Sequence, residues 1–233
     1  DQEMPGLSKR EIYHYYTGVG GLHGLEYKDF SSYRDFSEAK KEIEQGQFFT
    51  GDALAAWVVD CLRPDDSDKI ADLTFGKGSF FNHMPVEETL YGCELDIKRH
   101  SIARRLFERA HLHLGDVRTY SPGLLFDLVV GNPPYNIAWE YKGRRCNSQT
   151  AYLLKASDLL YPAGICAVIV PETFLGEGTT NMEKTMIFNR FNHVVQVSLP
   201  PNAFAYLGVR NFPTKLLVLQ KKADAMPDAQ YSS

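Results

Sequence analysis

The sequence predicts an α/β fold, a mostly parallel seven-stranded sheet flanked by helices. Three observations predict it. From residue 51 onward, short apolar runs alternate with helix-periodic segments. Those runs are apolar at successive positions, as strands buried on both faces are. The first four lead into a glycine, an acid or an asparagine, and in open sheets ligands sit beyond the carboxyl ends of the strands.

The elements follow in order. Residues 8–16 and 37–45 read as helices, with Ser8 and Ser37 as N-caps and Gly46 as a stop. Residues 18–24, rich in glycine, read as a loop. Residues 52–62 form an apolar-periodic helix that ends before Pro64, and 69–75 a strand that opens into Gly76-Lys77-Gly78. A strand over 90–95 precedes a helix over 97–110, and a short strand over 112–115 ends at Asp116. Residues 126–131 form a strand that runs straight into Asn132. Thereafter come a helix over 149–160, a strand over 164–170, a helix over 182–191, and strands over 194–199 and 215–221. Residues 136–148, carrying Lys142, Arg144 and Arg145, read as a basic loop suited to phosphates or simply to solvent. The expected organisation is a helical extension over 1–46, a catalytic domain over 47–222 and a tail over 223–233.

Composition narrows the function classes. Hydrophobic residues make up 44% and charged residues 23% of the 233 residues, which excludes a disordered, collagen-like or coiled-coil chain. The longest apolar run, 165–171, is too short to span a bilayer, and no signal-peptide pattern opens the chain, so a cytoplasmic protein without a membrane partner is expected. Cys61, Cys93, Cys146 and Cys166 show no CxxC spacing and predict neither a disulfide framework nor a metal site. The net charge of −4 argues against a protein that grips nucleic acid mainly through its own surface.

Chemistry concentrates at the strand ends. Asp72-Leu73-Thr74-Phe75-Gly76-Lys77-Gly78-Ser79-Phe80 is a glycine turn after a strand, where a backbone without Cβ can approach a ligand closely. It matches neither GxGxxG nor GxxxxGK[ST], so it supports neither a dinucleotide fingerprint nor a P-loop. Glu94, one strand on, is placed to accept both ribose hydroxyls of a nucleoside-bearing cofactor. Asp116, one strand further, can accept from the exocyclic amine of an adenine. Each acid alone reads as a solvated loop charge; two at successive strand ends beside a glycine turn point to a site.

The most informative motif is Asn132-Pro133-Pro134-Tyr135. Two prolines remove two backbone donors and stiffen the chain. The side-chain oxygen of Asn132 and the carbonyl of Pro133 can then accept from one substrate amine. An amine on an aromatic base is a poor nucleophile because its lone pair is delocalised. Acceptors on both N–H bonds favour the pyramidal geometry in which that pair can attack, which is transition-state electrostatics rather than general-base catalysis. Tyr135 offers a face for a planar substrate.

In this order, the glycine turn ending Gly78-Ser79-Phe80, Glu94, Asp116 and Asn-Pro-Pro-Tyr resemble the adenine-N6 DNA methyltransferases that use S-adenosylmethionine. Gly46-Gln47-Phe48-Phe49-Thr50 is similar to the segment that closes over the methionine end of the cofactor, and its position before the glycine turn resembles the gamma class, which includes type I modification subunits. Residues 165–175 resemble the next strand and turn. Asn202-Ala203-Phe204, Val209 and 213–219 resemble the last catalytic motif, in which a phenylalanine stacks on the flipped base; Phe204 is the better match and Phe212 its rival. The resemblance covers roughly residues 46–222.

The resemblance implies the Rossmann-like fold of class I methyltransferases and a cofactor held by Phe49, Thr50, Asp72, Gly76, Gly78, Glu94 and Asp116. It implies catalysis by Asn132, Pro133, Pro134 and Tyr135, base stacking by Tyr135 and Phe204, no metal, and a flipped adenine in DNA as substrate. Lys77 stands where the family carries a small residue, facing either solvent or the cofactor carboxylate. The gamma class continues into a DNA-recognition region, and the expectation is that a further domain or subunit supplies it. Two rival readings stay open: N-methylation of a protein glutamine or an RNA base, since Asn-Pro-Pro-Tyr serves those amines too, and a binding module that no longer turns over.

Overall fold

A computed structural model describes residues 8–15, 31–32, 50–204 and 212–224. The predicted helix over 37–45, the glycine loop over 18–24 and Phe49 lie outside the described residues. Helix α1 (Lys9–Tyr15) is followed by α2 (Asp52–Leu62), β1 (Ile70–Asp72), β2 (Leu90–Glu94), α3 (Ile97–Leu106), β3 (His111–Leu114) and β4 (Phe126–Gly131). Then come β5 (Ala138–Tyr141), β6 (Arg144–Asn147), α4 (Ser148–Leu159), β7 (Leu160–Pro171), α5 (Asn181–Phe188), β8 (Phe191–Ser198) and β9 (Thr214–Lys221).

Seven strands form one sheet in the order β3-β2-β1-β4-β7-β9-β8. β9 runs antiparallel to both of its neighbours, and the remaining pairs are parallel. β1 pairs with β2 on one side and β4 on the other, so the chain reverses its direction of travel there, and a crevice opens beyond the strand ends. Alternation along the strands sorts side chains between two cores. Ile70, Leu128, Val130, Leu216 and Val218 pack against Ala55 and Val58 of α2 and Ala103 and Leu106 of α3. Ala71, Val129, Cys166, Val168, Leu217 and Leu219 pack against Tyr152, Leu153 and Ala156 of α4 and Ile187 of α5. Burial on both faces is why these strands read as continuous apolar runs.

The helix ends have local causes. α2 stops at Arg63, which takes a left-handed conformation (φ 48°) and returns its N–H to Val59 before Pro64. α3 starts at an Asp96 cap that accepts from the Arg99 N–H at 2.8 Å. It ends at Leu106, four residues short of the sequence expectation, and the ring of the next residue, Phe107, packs over the glycine turn. α5 carries a reciprocal capping box between Thr180 and Glu183, and it also ends earlier than expected, at Phe188. α1 starts at Lys9, one residue after its expected start, and Ile12 and Tyr13 pack on the α2–α3 side of the core.

The segment expected as a basic loop is a hairpin. β5 and β6 pair antiparallel, from Ala138↔Asn147 to Tyr141↔Arg144, and the turn is made by Lys142 (φ 49°) and Gly143 (φ 75°). Tyr141 and Cys146 bury against Ala151 and Leu154 of α4. Asp158 anchors the tip: it accepts from the Tyr141 hydroxyl at 2.5 Å, pairs with Lys142 at 2.6 Å and accepts from Arg190 at 2.9 Å. At the other end, the Asn147 N–H donates to Glu183 at 2.8 Å.

At the crevice one phenol joins two strands. Asp72↔Val130 is the last pair between β1 and β4. Just past it the Tyr152 hydroxyl accepts from the Leu73 N–H at 3.3 Å and donates to the Val130 carbonyl at 3.1 Å. Gly131 makes room for it, because a Cβ there would stand 2.1 Å from the phenol oxygen.

All four cysteines are free; Cys61 is exposed and the others are buried. Among the described residues no helix is long and apolar enough to cross a membrane, and no group of three or more His, Cys, Asp or Glu side chains is placed to hold a metal ion.

Candidate active site

A cavity of about 470 Å³ opens at the carboxyl ends of β1 to β4. Thr50, Asp72, Gly76, Glu94, Asp116, Asn132 and Pro134, all singled out from the sequence, line it. The topology brings them together: each follows a strand of the crevice except Thr50, which precedes α2.

Glu94 is buried, and backbone donors hold both of its oxygens. Gly76 N–H reaches Oε2 at 3.0 Å and Asp96 N–H reaches Oε1 at 2.9 Å. Burial raises its pKa, while these two donors and the nearby Arg99 oppose the rise. A carboxylate offers about four lone-pair sites, so Glu94 keeps capacity for a diol in the cavity. Gly76 sits at φ 56°, a conformation that favours glycine.

Asp72 lies deeper. Its Oδ1 accepts from the Thr74 N–H at 3.0 Å. Burial, reinforced by the charge of Glu94, pushes its pKa up to about 8, so the carboxyl holds its proton near neutrality. Asp116 is the opposite case. Arg118 donates to it from the backbone N–H at 2.8 Å, from Nε at 3.0 Å to each oxygen, and from Nη2 at 2.5 Å. These bonds hold its carboxyl below the usual range.

Asn132 leaves β4 at the cavity wall. Its Nδ2 donates to Thr50 Oγ1 at 3.3 Å, and its Oδ1 accepts from the Tyr135 hydroxyl. The following turn is tied to the start of α4. Ser148 Oγ donates to the Pro134 carbonyl at 2.6 Å, and Gln149 accepts from the Asn136 N–H at 3.2 Å. Asn136 itself is left-handed, at φ 56°.

Four expected site residues do not line the cavity. Gly78 is needed by packing instead: a Cβ there would meet Phe107 at 2.3 Å, and its φ is +78°. Pro133 is buried behind Asn132. Tyr135 and Phe204, expected as stacking faces, are 2% and 1% exposed and belong to the core on the α2–α3 side. The ring parallel to Tyr135 is Phe212, the rival, at 5.8 Å and 15°. Of the two candidates for the stacking ring, Phe204 is packed in the core and Phe212 lies parallel to Tyr135. Lys77 does not face the cavity either. Its ammonium lies 4.5 Å over the ring of Tyr13, in a second cavity between α1 and the core, and burial there lowers its pKa against the pull of Asp52.

Sequence reasoning missed several contributors, Arg99 and Val117 among them. Arg118 lines the cavity beside Asp116, and Ile137 and Trp139 reach it from the hairpin. The available signal was the alternation Trp139-Glu140-Tyr141 before a Lys142-Gly143 turn, a period-2 pattern that the basic charge obscured.

Comparison with known proteins agrees with this geometry. The profile of the N-6 DNA methylase family matches residues 32–231. Type II methyltransferase M.AccI of Acinetobacter calcoaceticus is 23% identical over 206 residues, covering 73% of this chain and 37% of that protein. A modification subunit of a putative type I restriction enzyme from Vibrio vulnificus superposes with a TM-score of 0.63 at 18% identity, over 86% of this chain and 54% of that one. A putative class I S-adenosylmethionine-dependent methyltransferase from Listeria monocytogenes gives 0.64 at 15% identity, over 98% and 73%. The chain thus spans about a third of the type II relative and about half of the modification subunit.

Proposed function

The chain belongs to the N-6 DNA methylase family, and on that premise we propose that its crevice transfers a methyl group to the N6 amine of an adenine in DNA. One observation carries the reading: Asn132, held by Thr50 and Tyr135, lines the same cavity as Glu94 and Asp116. Amine acceptor and nucleoside-binding acids therefore share one space.

The residues present fit S-adenosylmethionine. The cavity volume lies within the range of about 300–1,000 Å³ for small-molecule sites. Glu94 would hold the ribose hydroxyls and Asp116 the adenine amine, with Asp72, Gly76 and Thr50 around the remainder. When bound, S-adenosylmethionine supplies an electrophilic sulfonium methyl group. The chain's own work is on the acceptor. Asn132 Oδ1 accepts from the Tyr135 hydroxyl and is the acceptor that would take a substrate N–H when a base is bound. The rigid Asn-Pro-Pro-Tyr turn, pinned through Ser148 and Gln149, holds that acceptor still. With the Pro133 carbonyl as second acceptor, the amine is drawn toward a pyramidal nitrogen as its charge develops.

An adenine inside a duplex cannot reach this crevice, so the base is extruded into it. Tyr135 and Phe212 are the rings between which it would seat. With a net charge of −4, the chain offers little of the positive surface that specific readers use, so we assign sequence recognition to further polypeptide. The test is nucleoside mass spectrometry after incubation of unmethylated genomic DNA with isotopically labelled S-adenosylmethionine, with the chain alone and with its full-length context. Labelled N6-methyladenine is expected. Label in protein glutamine or RNA, with none in DNA, would overturn the reading.

A further inference from the structure

Asp116 makes an unusual commitment for a residue expected to receive a cofactor. A backbone N–H, Nε and Nη2 of a single residue, Arg118, already occupy most of its acceptor capacity. Arg118 in turn lies over the indole of Trp139, with Cζ 5.7 Å from the ring centroid. Trp139 belongs to β5, and that hairpin is fixed to α4 and α5 through Asp158 and Glu183. Asp116, Arg118, Ile137 and Trp139 all line the same cavity. A continuous chain of contacts thus runs from the hairpin anchor to one carboxylate.

We propose that Arg118, placed over the Trp139 indole, is the positioning residue for recognition of the cofactor's purine: it fixes the Asp116 carboxylate in one plane so that its remaining lone pair faces the 6-amino group. This rests on the reading of the cavity as an S-adenosylmethionine site. A flexible side chain would lose rotamer freedom each time a purine bound. The guanidinium fork removes that freedom beforehand, because its two parallel N–H bonds set the carboxylate's orientation as well as its charge. Trp139 does the same for the guanidinium, since a cation over an indole face is favoured and confined. The hairpin is therefore a wall of the cofactor site, and the exposed Lys142 at its tip pairs with Asp158.

The test is a comparison of two ligands. S-adenosylhomocysteine carries the 6-amino group; S-inosylhomocysteine carries an oxygen there, an acceptor that cannot donate to Asp116. Calorimetry on the whole chain should show that the wild type prefers the adenosyl ligand. Arg118→Ala and Arg118→Gln should weaken S-adenosylhomocysteine by about tenfold or more, the value of a hydrogen bond to a charged group. S-inosylhomocysteine binding should stay within about twofold, so that the preference collapses. Trp139→Phe, which keeps an aromatic face, should retain most of the preference, and Trp139→Ala should lose it. An equal loss for both ligands would reduce Arg118 to general packing. Unchanged or tighter binding of S-adenosylhomocysteine in Arg118→Ala would make the guanidinium a bystander or a plug. In those cases the cofactor reading stands while this inference falls. If the folded wild type binds neither ligand, both fall together.

Discussion

On the β1–β3 side of the crevice, acidic groups line an open cavity and their carboxylates are already held. Glu94 and Asp72 take backbone N–H groups and Asp116 takes Arg118. On the β4–β9 side the aromatic groups expected to receive a base fill that space themselves: Tyr135 and Phe204 are buried, and Phe212 lies against Tyr135. The difference teaches that the two ligands meet unlike costs. On the proposed reading, a cofactor would enter a formed pocket, whereas a base would enter only as the rings separate. Preorganised polar groups suit the first task, and apolar rings that collapse on each other suit the second, because closing them keeps apolar surface out of water until a base replaces it.

The comparison can be broken most decisively at Phe204. If it is core, Phe204→Ala should destabilise the chain by about 3–5 kcal/mol, read as a lowered denaturant midpoint. Phe212→Ala should leave the midpoint nearly unchanged and raise KM for DNA, by about 1–3 kcal/mol in base stacking. The reverse pattern would reinstate Phe204 as the stacking ring. Next in size, Asn132→Ala should lower kcat by about 10²–10³-fold, as removal of one transition-state hydrogen-bonding group does. Cofactor affinity by calorimetry should hardly move; equal losses in both would show that the two sides are one unit.

A smaller effect sharpens the cofactor side. Glu94→Ala should weaken S-adenosylmethionine binding by about 1.5–3 kcal/mol, with kcat at saturating cofactor largely kept. The smallest concerns pH. Burial holds the Asp72 pKa near 8, far above its unfolded value of about 4. Between those values the native state binds the extra proton, so stability from this group is greatest at low pH and falls as pH rises toward 8. Asp72→Asn should flatten that fall. Thermal melts at pH 5 and pH 8 should show a smaller drop in Tm for the variant than for the wild type.

Much of this architecture was legible in the sequence. The inner strands of the main sheet announce themselves because burial on both faces demands apolar residues at successive positions, as in 126–131 and 165–171, whereas the edge strands β3 and β8 are largely exposed. Glu94, Asp116 and Asn132 were legible because strand ends are where such a sheet places ligands. What was not legible depends on packing between distant residues. Gly78 looks like a ligand-facing glycine, yet its constraint comes from Phe107, 29 positions later. Phe204 and Phe212 share a residue type and a neighbourhood, and only tertiary burial separates them. The β5–β6 hairpin hid because its outward positions carry the charges, while its inward ones, Tyr141 and Cys146, are few.

Tyr152 carries a consequence of its own. Its hydroxyl stands where the β1–β4 ladder gives out, taking Leu73 on one side and Val130 on the other. It works as a spacer gauge between the strand that leads to the glycine turn and the strand that leads to Asn132. Beyond the last ladder pair, that phenol is what ties the two strand ends together. A lineage of this chain could exchange cavity residues freely and alter what it binds. A side chain at Gly131, by contrast, would displace the phenol and with it the tie between the strand ends that lead to the glycine turn and to Asn132.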